Sequence, residues 1–278
     1  MLKKLTQLFS YMLCALILIT SSHYASATQK TKTIHILVAL CDNKYQGIVP
    51  VPAAIGNGQD PRNNLYWGAA YGLKTYFKKQ TDWELLSSTN NPKSYILERL
   101  VYKHKTKPLY VIADAYDGQY IKNTTQDLFN YAQGLDPVTI IVEQHTVTGG
   151  GAADFLIYAG HNGLMDWPLS EVFTAPSTSP APITEQPTAN LQSYRRAAVF
   201  ACKSQNYFSQ PLAQTGIAPA LLTTDFMAPE GYVVFAAVDA YSKNASLQEL
   251  RTQVATTYSK YQKLKKPVMR MFTTKYKE

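Results

Sequence analysis

Two apolar runs end in residues that could do covalent chemistry together: residues 155–160 lead into His161, and residues 197–201 lead into Cys202. A cysteine thiolate is a nucleophile, and an imidazole within hydrogen-bond reach can take its proton and return it to a leaving group. Short continuous apolar runs rich in β-branched and aromatic residues read as core strands. Parallel sheets place their chemistry just beyond the carboxyl ends of such strands. The pattern predicts a thiol and an imidazole on the same edge of one buried sheet.

The other histidines are weaker partners. His35 lies inside an apolar run, His104 sits between Lys103 and Lys105, and His145 lies near a glycine-rich turn and is the one rival to His161. None follows Cys202, so a dyad must use a histidine upstream of its nucleophile. Cys41 and Cys202 are the two cysteines beyond residue 27, and in an oxidising compartment they could form a disulfide. If the His161 strand lies between theirs, two strand spacings of about 4.8 Å hold them about 9.6 Å apart, beyond the roughly 7 Å a disulfide tolerates. A thiol redox protein exchanging that disulfide is a third reading of the pair.

The motifs around these residues resemble the caspase-hemoglobinase group of cysteine peptidases. An apolar run into His161-Asn162-Gly163 is followed, 41 residues on (202 − 161), by a second run ending Ala201-Cys202-Lys203-Ser204. The likeness is nearer to legumain than to caspases, which carry Gln before Ala-Cys and Gly two residues after. It covers roughly residues 153–206. It implies a three-layer sandwich with a mostly parallel central sheet, and a Cys202–His161 dyad acting on peptide bonds. It also assigns the backbone N–H groups of Cys202 and Gly163 to the oxyanion, although the family places its glycine directly after the histidine and this chain has Asn162 there. Arg62, in the loop after the first strand, is by position the residue that would grip the substrate. No metal or organic cofactor is implied, and calcium, which some relatives bind, stays open.

Residues 1–27 have a basic start at Lys3 and Lys4, an apolar stretch centred on residues 8–19 and an Ala25-Ser26-Ala27 end, the pattern of a cleavable secretory signal. An exported protein, periplasmic or secreted and cut near Ala27, is expected. Residues 28–278 are expected to form a single α/β domain. The formal charge is +8, and its excess lies at the carboxyl end, where residues 251–278 hold eight Lys/Arg against Glu278 alone. The segment from about 246 to 278 reads as a basic helix and tail, able to meet anionic lipid or glycan. Nucleic acid is not expected as a partner, because no recognition motif accompanies the charge. There is no Gly-x-Ser-x-Gly, His-Glu-x-x-His, Cys-x-x-Cys or phosphate-binding loop.

Strand-like runs at 33–40, 83–86, 108–115, 155–160, 197–201 and 218–222 alternate with helical patterns at 64–79, 92–104, 124–133, 206–214 and 245–264, the order of an α/β sheet. Residues 138–151 read as a hairpin. Residues 232–238 fit strand or helix, and residues 174–190, with four prolines, read as a loop between the two candidate catalytic residues. A cysteine peptidase-like hydrolase is the expectation. The alternative is a non-catalytic binding module with the same fold.

Overall fold

The computed structural model describes residues 30–178 and 188–277. The expected signal peptide with its cut near Ala27, and the middle of the 174–190 loop, lie outside the described residues.

The strand β1 (Lys32–Ala39) is buried along nearly its whole length and sits inside the sheet. It pairs in parallel with β4 (Leu109–Tyr116) on one side and with β7 (Phe155–Ala159) on the other. Beyond β7 the parallel set continues through β8 (Arg196–Phe200) and β9 (Ala218–Thr223). The antiparallel β10 (Phe272–Thr273) closes that flank, and the antiparallel pair β3 (Ile96–His104) and β2 (Trp83–Lys93) closes the other. The order is β10-β9-β8-β7-β1-β4-β3-β2. The continuous apolar runs are thus the interior strands, covered on both faces.

Helices cover both faces. On one, α1 (Leu73–Phe77), α4 (Gly231–Ser242) and α5 (Leu247–Tyr261) pack on Ile34, Ile36, Val38, Ile157 and Phe200. On the other, α2 (Ile121–Ala132) and α3 (Ser204–Thr215) pack on Leu37, Leu156, Tyr158 and Val199. The layers therefore run helix, sheet, helix. A hairpin of β5 (Pro137–Val142) and β6 (His145–Gly150) adds Val147 to a small cluster with Val101, Tyr110 and Ile112. Residues 232–238 belong to a helix. It is buried almost all round because it lies between the sheet and α5, which is why its periodicity is mute.

Two expected helices are corrected. Residues 92–104 form β3 and the turn before it; two of its residues, Glu98 and Arg99, are charged but paired inside, which disguises the period of two. Glu98 accepts from Trp67 Nε1 at 2.7 Å and from Lys74 Nζ at 2.6 Å. Residues 64–79 are helical only over α1. Asn64 instead uses its amide to bind the backbone of Cys41 in both directions. A Cβ at Gly68 would stand 2.0 Å from the Arg62 carbonyl oxygen, so the chain there is folded on itself too tightly for a helix.

His35 has a structural role. Its Nδ1 accepts the Gly150 N–H at 2.7 Å, which leaves Nε2–H to donate to Asp114 Oδ2 at 3.1 Å, the neutral tautomer. Arg99 forks onto both oxygens of Asp114 at 2.7 and 2.6 Å. Three adjacent strands are thereby joined through one fully buried carboxylate.

The basic carboxyl-terminal segment is part of the fold. A capping box of Ser246 and Glu249 starts α5, whose Leu247, Leu250, Val254 and Tyr258 are buried. Phe272 of β10 is fully buried, while Lys260, Lys263, Lys265, Lys266 and Arg270 stay exposed. Among the described residues no helix is long and apolar enough to cross a membrane.

Candidate active site

Strands β7 and β8 run in register to Ala159↔Phe200, and the Gly160 N–H still reaches the Phe200 carbonyl at 3.2 Å. Two residues further on, the same count places His161 opposite Cys202. The two chain ends are tied directly: Asn162 Nδ2 donates to the Cys202 carbonyl at 2.8 Å, while its Oδ1 accepts the Leu164 N–H at 3.0 Å. The asparagine that interrupts the family pattern is the residue that fixes the two strand ends together. On the other side, Tyr158 Oη donates to the His161 carbonyl at 2.7 Å.

Gly160 makes this turn possible. Its φ is +149°, and a Cβ there would stand 2.6 Å from the Ala39 carbonyl oxygen. Gly160→Ala is expected to lower stability by on the order of 1–3 kcal/mol, checked by denaturant unfolding.

Cys202 precedes α3, with Lys203 in the left-handed region at φ +51° as the bend into that helix. A thiol at a helix N-terminus is favoured as thiolate by the backbone dipoles. Its sulfur lies 3.5 Å from the Met227 nitrogen and 3.6 Å from the Met227 oxygen, in the loop after β9. It is partly exposed, whereas Cys41 is fully buried. Burial, helped by the charge of Asp42, pushes the Cys41 thiol up to about 11. Both cysteines are free, and β7 lies between their strands. Spacing alone thus keeps the disulfide from forming in this conformation.

His161 is almost fully buried, and its Nε2 lies 3.0 Å from Asp166 Oδ2. The contact is one of charge and not of an aligned N–H···O bond. Asp166 Oδ2 also accepts the Gly47 N–H at 3.3 Å, so the loop after β1 helps hold the carboxylate beside the imidazole. Gly163 begins a single 3₁₀ turn (Gly163–Met165), with its N–H beside the Tyr158 hydroxyl. The Cys202 N–H donates to no group among the described residues.

Comparison with protein-family models, with curated proteins and with solved structures gave no match. The site therefore rests on its own geometry. His145 bonds Tyr110, near the start of β4, and His104 packs on Trp83 at the same amino edge of the sheet. Among the described residues, His161 is the one imidazole at the carboxyl edge. Arg62 is exposed and lines a cleft of about 420 Å³ with Lys74 and Glu98. That cleft belongs to β3, four strand positions from β8 and so about 19 Å along the sheet. The structure brings His161 and Cys202 together and leaves Arg62 apart. Asp166 was not singled out from the sequence, although a carboxylate five residues past a candidate base was a readable signal. No group of three or more potential metal ligands occurs among the described residues.

Proposed function

We propose that this chain is an exported cysteine peptidase-like hydrolase of caspase-hemoglobinase type. The observation that carries the reading is the pairing of strand ends: parallel strands in register deliver His161 and Cys202 to one edge, tied by Asn162. The order of β1, β7 and β8 agrees with the resemblance, as does the helix that follows Cys202. In this mechanism the Cys202 thiolate attacks a peptide carbonyl carbon, and the C–N bond breaks as His161 gives a proton to the leaving amine. Water then hydrolyses the thioester, with His161 taking its proton. The free Cys202 N–H is the first oxyanion donor, and the Gly163 N–H is the second that the resemblance assigns. Asp166 is a positioning residue that favours the charged imidazole.

The test is alkylation of Cys202 by iodoacetamide from pH 5 to 9, read by mass spectrometry with Cys41 as the internal control. Fast labelling below about pH 7 that is lost in His161→Ala supports the dyad. Slow labelling, unchanged in the variant, overturns it. Asp166→Asn removes a negative charge beside the imidazole and so moves the His161 titration to lower pH. The alkaline limb of the pH–rate profile is expected to shift down while the acid limb stays.

A binding module with the same fold is the second reading. It is favoured by the Cys202 sulfur being turned onto the Met227 backbone and not onto an imidazole. Exposed lysines on α5 and beyond would serve such a module on anionic lipid or glycan. Binding to anionic vesicles that survives Cys202→Ala, with no peptide hydrolysed, would select it.

A further inference from the structure

The loop from Thr224 to Glu230 joins β9 to α4 and passes directly over the candidate nucleophile. Met227 touches the Cys202 sulfur through both its backbone nitrogen and oxygen. One residue on, the Ala228 N–H donates to Tyr258 Oη at 3.3 Å. Glu230 then stands immediately before α4, where its side chain makes no capping bond. Its Oε2 accepts from Tyr232 Oη at 2.8 Å, and that hydroxyl is in turn bonded by Gln262 at 2.7 Å.

Two phenols measure how close the acid lies to the thiol. The hydroxyls of Tyr66 and of Tyr258 each have both Cys202 and Glu230 as charged neighbours. Sulfur and carboxylate therefore flank the same pair of rings. Around Glu230 the surface is aromatic: Tyr232 stacks on Tyr261 at 4.2 Å, and the half-exposed Tyr71 meets both rings edge-on.

Glu230 is also an anion without a counter-ion. Among the described residues no lysine or arginine pairs with it, and its only side-chain hydrogen bond is to a neutral phenol. The nearby Lys203 turns its ammonium over the Phe226 ring instead, at 4.3 Å. Burial raises the carboxyl above its ordinary range, with the Tyr232 bond opposing. A half-buried carboxylate held in place by a tyrosine, and set among aromatic faces, is completed by an incoming cation, which gains a charge-assisted bond together with ring contact.

We propose that Glu230 sets the substrate class by receiving a basic side chain, arginine or lysine, of the residue whose carbonyl Cys202 attacks. This rests on the hydrolase reading, but the cation site itself does not need catalysis. The specificity of such a site comes from charge, since a neutral side chain leaves the carboxylate unpaired and desolvated.

The experiment has two arms. In the first, benzamidine is used to protect Cys202 from iodoacetamide in the full protein, and the same titration is run on Glu230→Gln. Protection of the wild type that weakens at least tenfold in the variant is the expected result. No protection, or equal protection of both, overturns the proposal. The second arm compares fluorogenic peptides with Arg, Lys, Asn, Asp or Leu at the cleaved position. The basic peptides are expected to lead by at least tenfold in kcat/KM, and Glu230→Gln to remove that lead while keeping slow cleavage of the neutral ones. Cleavage led by a neutral or acidic residue overturns the Glu230 assignment and leaves the dyad standing. Protection by benzamidine with no peptide cleaved sinks the hydrolase reading and keeps the cation site. A Glu230→Asp variant folded like the wild type and retaining the basic preference separates charge from loss of structure.

Discussion

Cys202→Ala is expected to lower peptide hydrolysis by at least about 10³-fold, because covalent catalysis has no route once the nucleophile is gone. The same change removes only one partly exposed sulfur from a site tied by Asn162 and by the Tyr158 hydroxyl. Folding is therefore expected to survive, with a midpoint of unfolding close to the wild type. Cys41→Ser supplies the control. That thiol is buried, and burial raises its proton affinity, so it is expected to carry little of the alkylation signal and none of the activity. Equal activity of Cys202→Ala and wild type in a purified preparation would sink the hydrolase reading outright.

The largest expected effect on stability lies away from the site. Asp114→Ala leaves Arg99 buried without its counter-charge and His35 Nε2–H without an acceptor, at a cost of about 3–5 kcal/mol. The sign with pH follows from the same cluster. Burial alone would raise the Asp114 carboxyl, but the Arg99 fork and the His35 donor outweigh it and hold it below its ordinary value of 3.8. A depressed carboxyl contributes stability that is whole above its unfolded value and is lost as pH falls through the folded one. Asp127 is pushed up by burial and so has the opposite sign, favouring the folded state at acid pH. Wild-type stability is expected to fall steeply below about pH 4. In Asp114→Asn that acid slope should flatten, which urea unfolding at pH 3, 4 and 6 would read directly.

The strands that carry chemistry were legible because burial on both faces leaves nothing but apolar residues in them, as in β7 and β8. Their parallel register, and so the meeting of His161 and Cys202, followed from where the runs stop. β3 was illegible because Glu98 and Arg99 lie within it and find partners there that only the folded chain supplies. The 64–79 region misled for a related reason: spacing of apolar residues suggested one helical face, while Asn64 and Gly68 were committed to backbone contacts far from that face. Asp166 reaches His161 only through the 3₁₀ turn after Asn162. Glu230 reaches the thiol's surroundings only through the loop that follows β9. Each depends on a short irregular segment whose course has no periodic signature.

The place of β1 within the sheet has a kinetic consequence. Its partners are far off along the chain: Lys32 pairs with Leu109, 77 residues on (109 − 32), and Ile34 with Phe155, 121 residues on (155 − 34). Closing loops of that length precedes any reward from the contacts, so chains dominated by such pairings fold slowly. For well over a hundred residues of synthesis β1 has only one of its two neighbours. A polypeptide that closes its core this late remains threadable for long enough to cross a membrane before it folds, and it needs protection from association for the same interval.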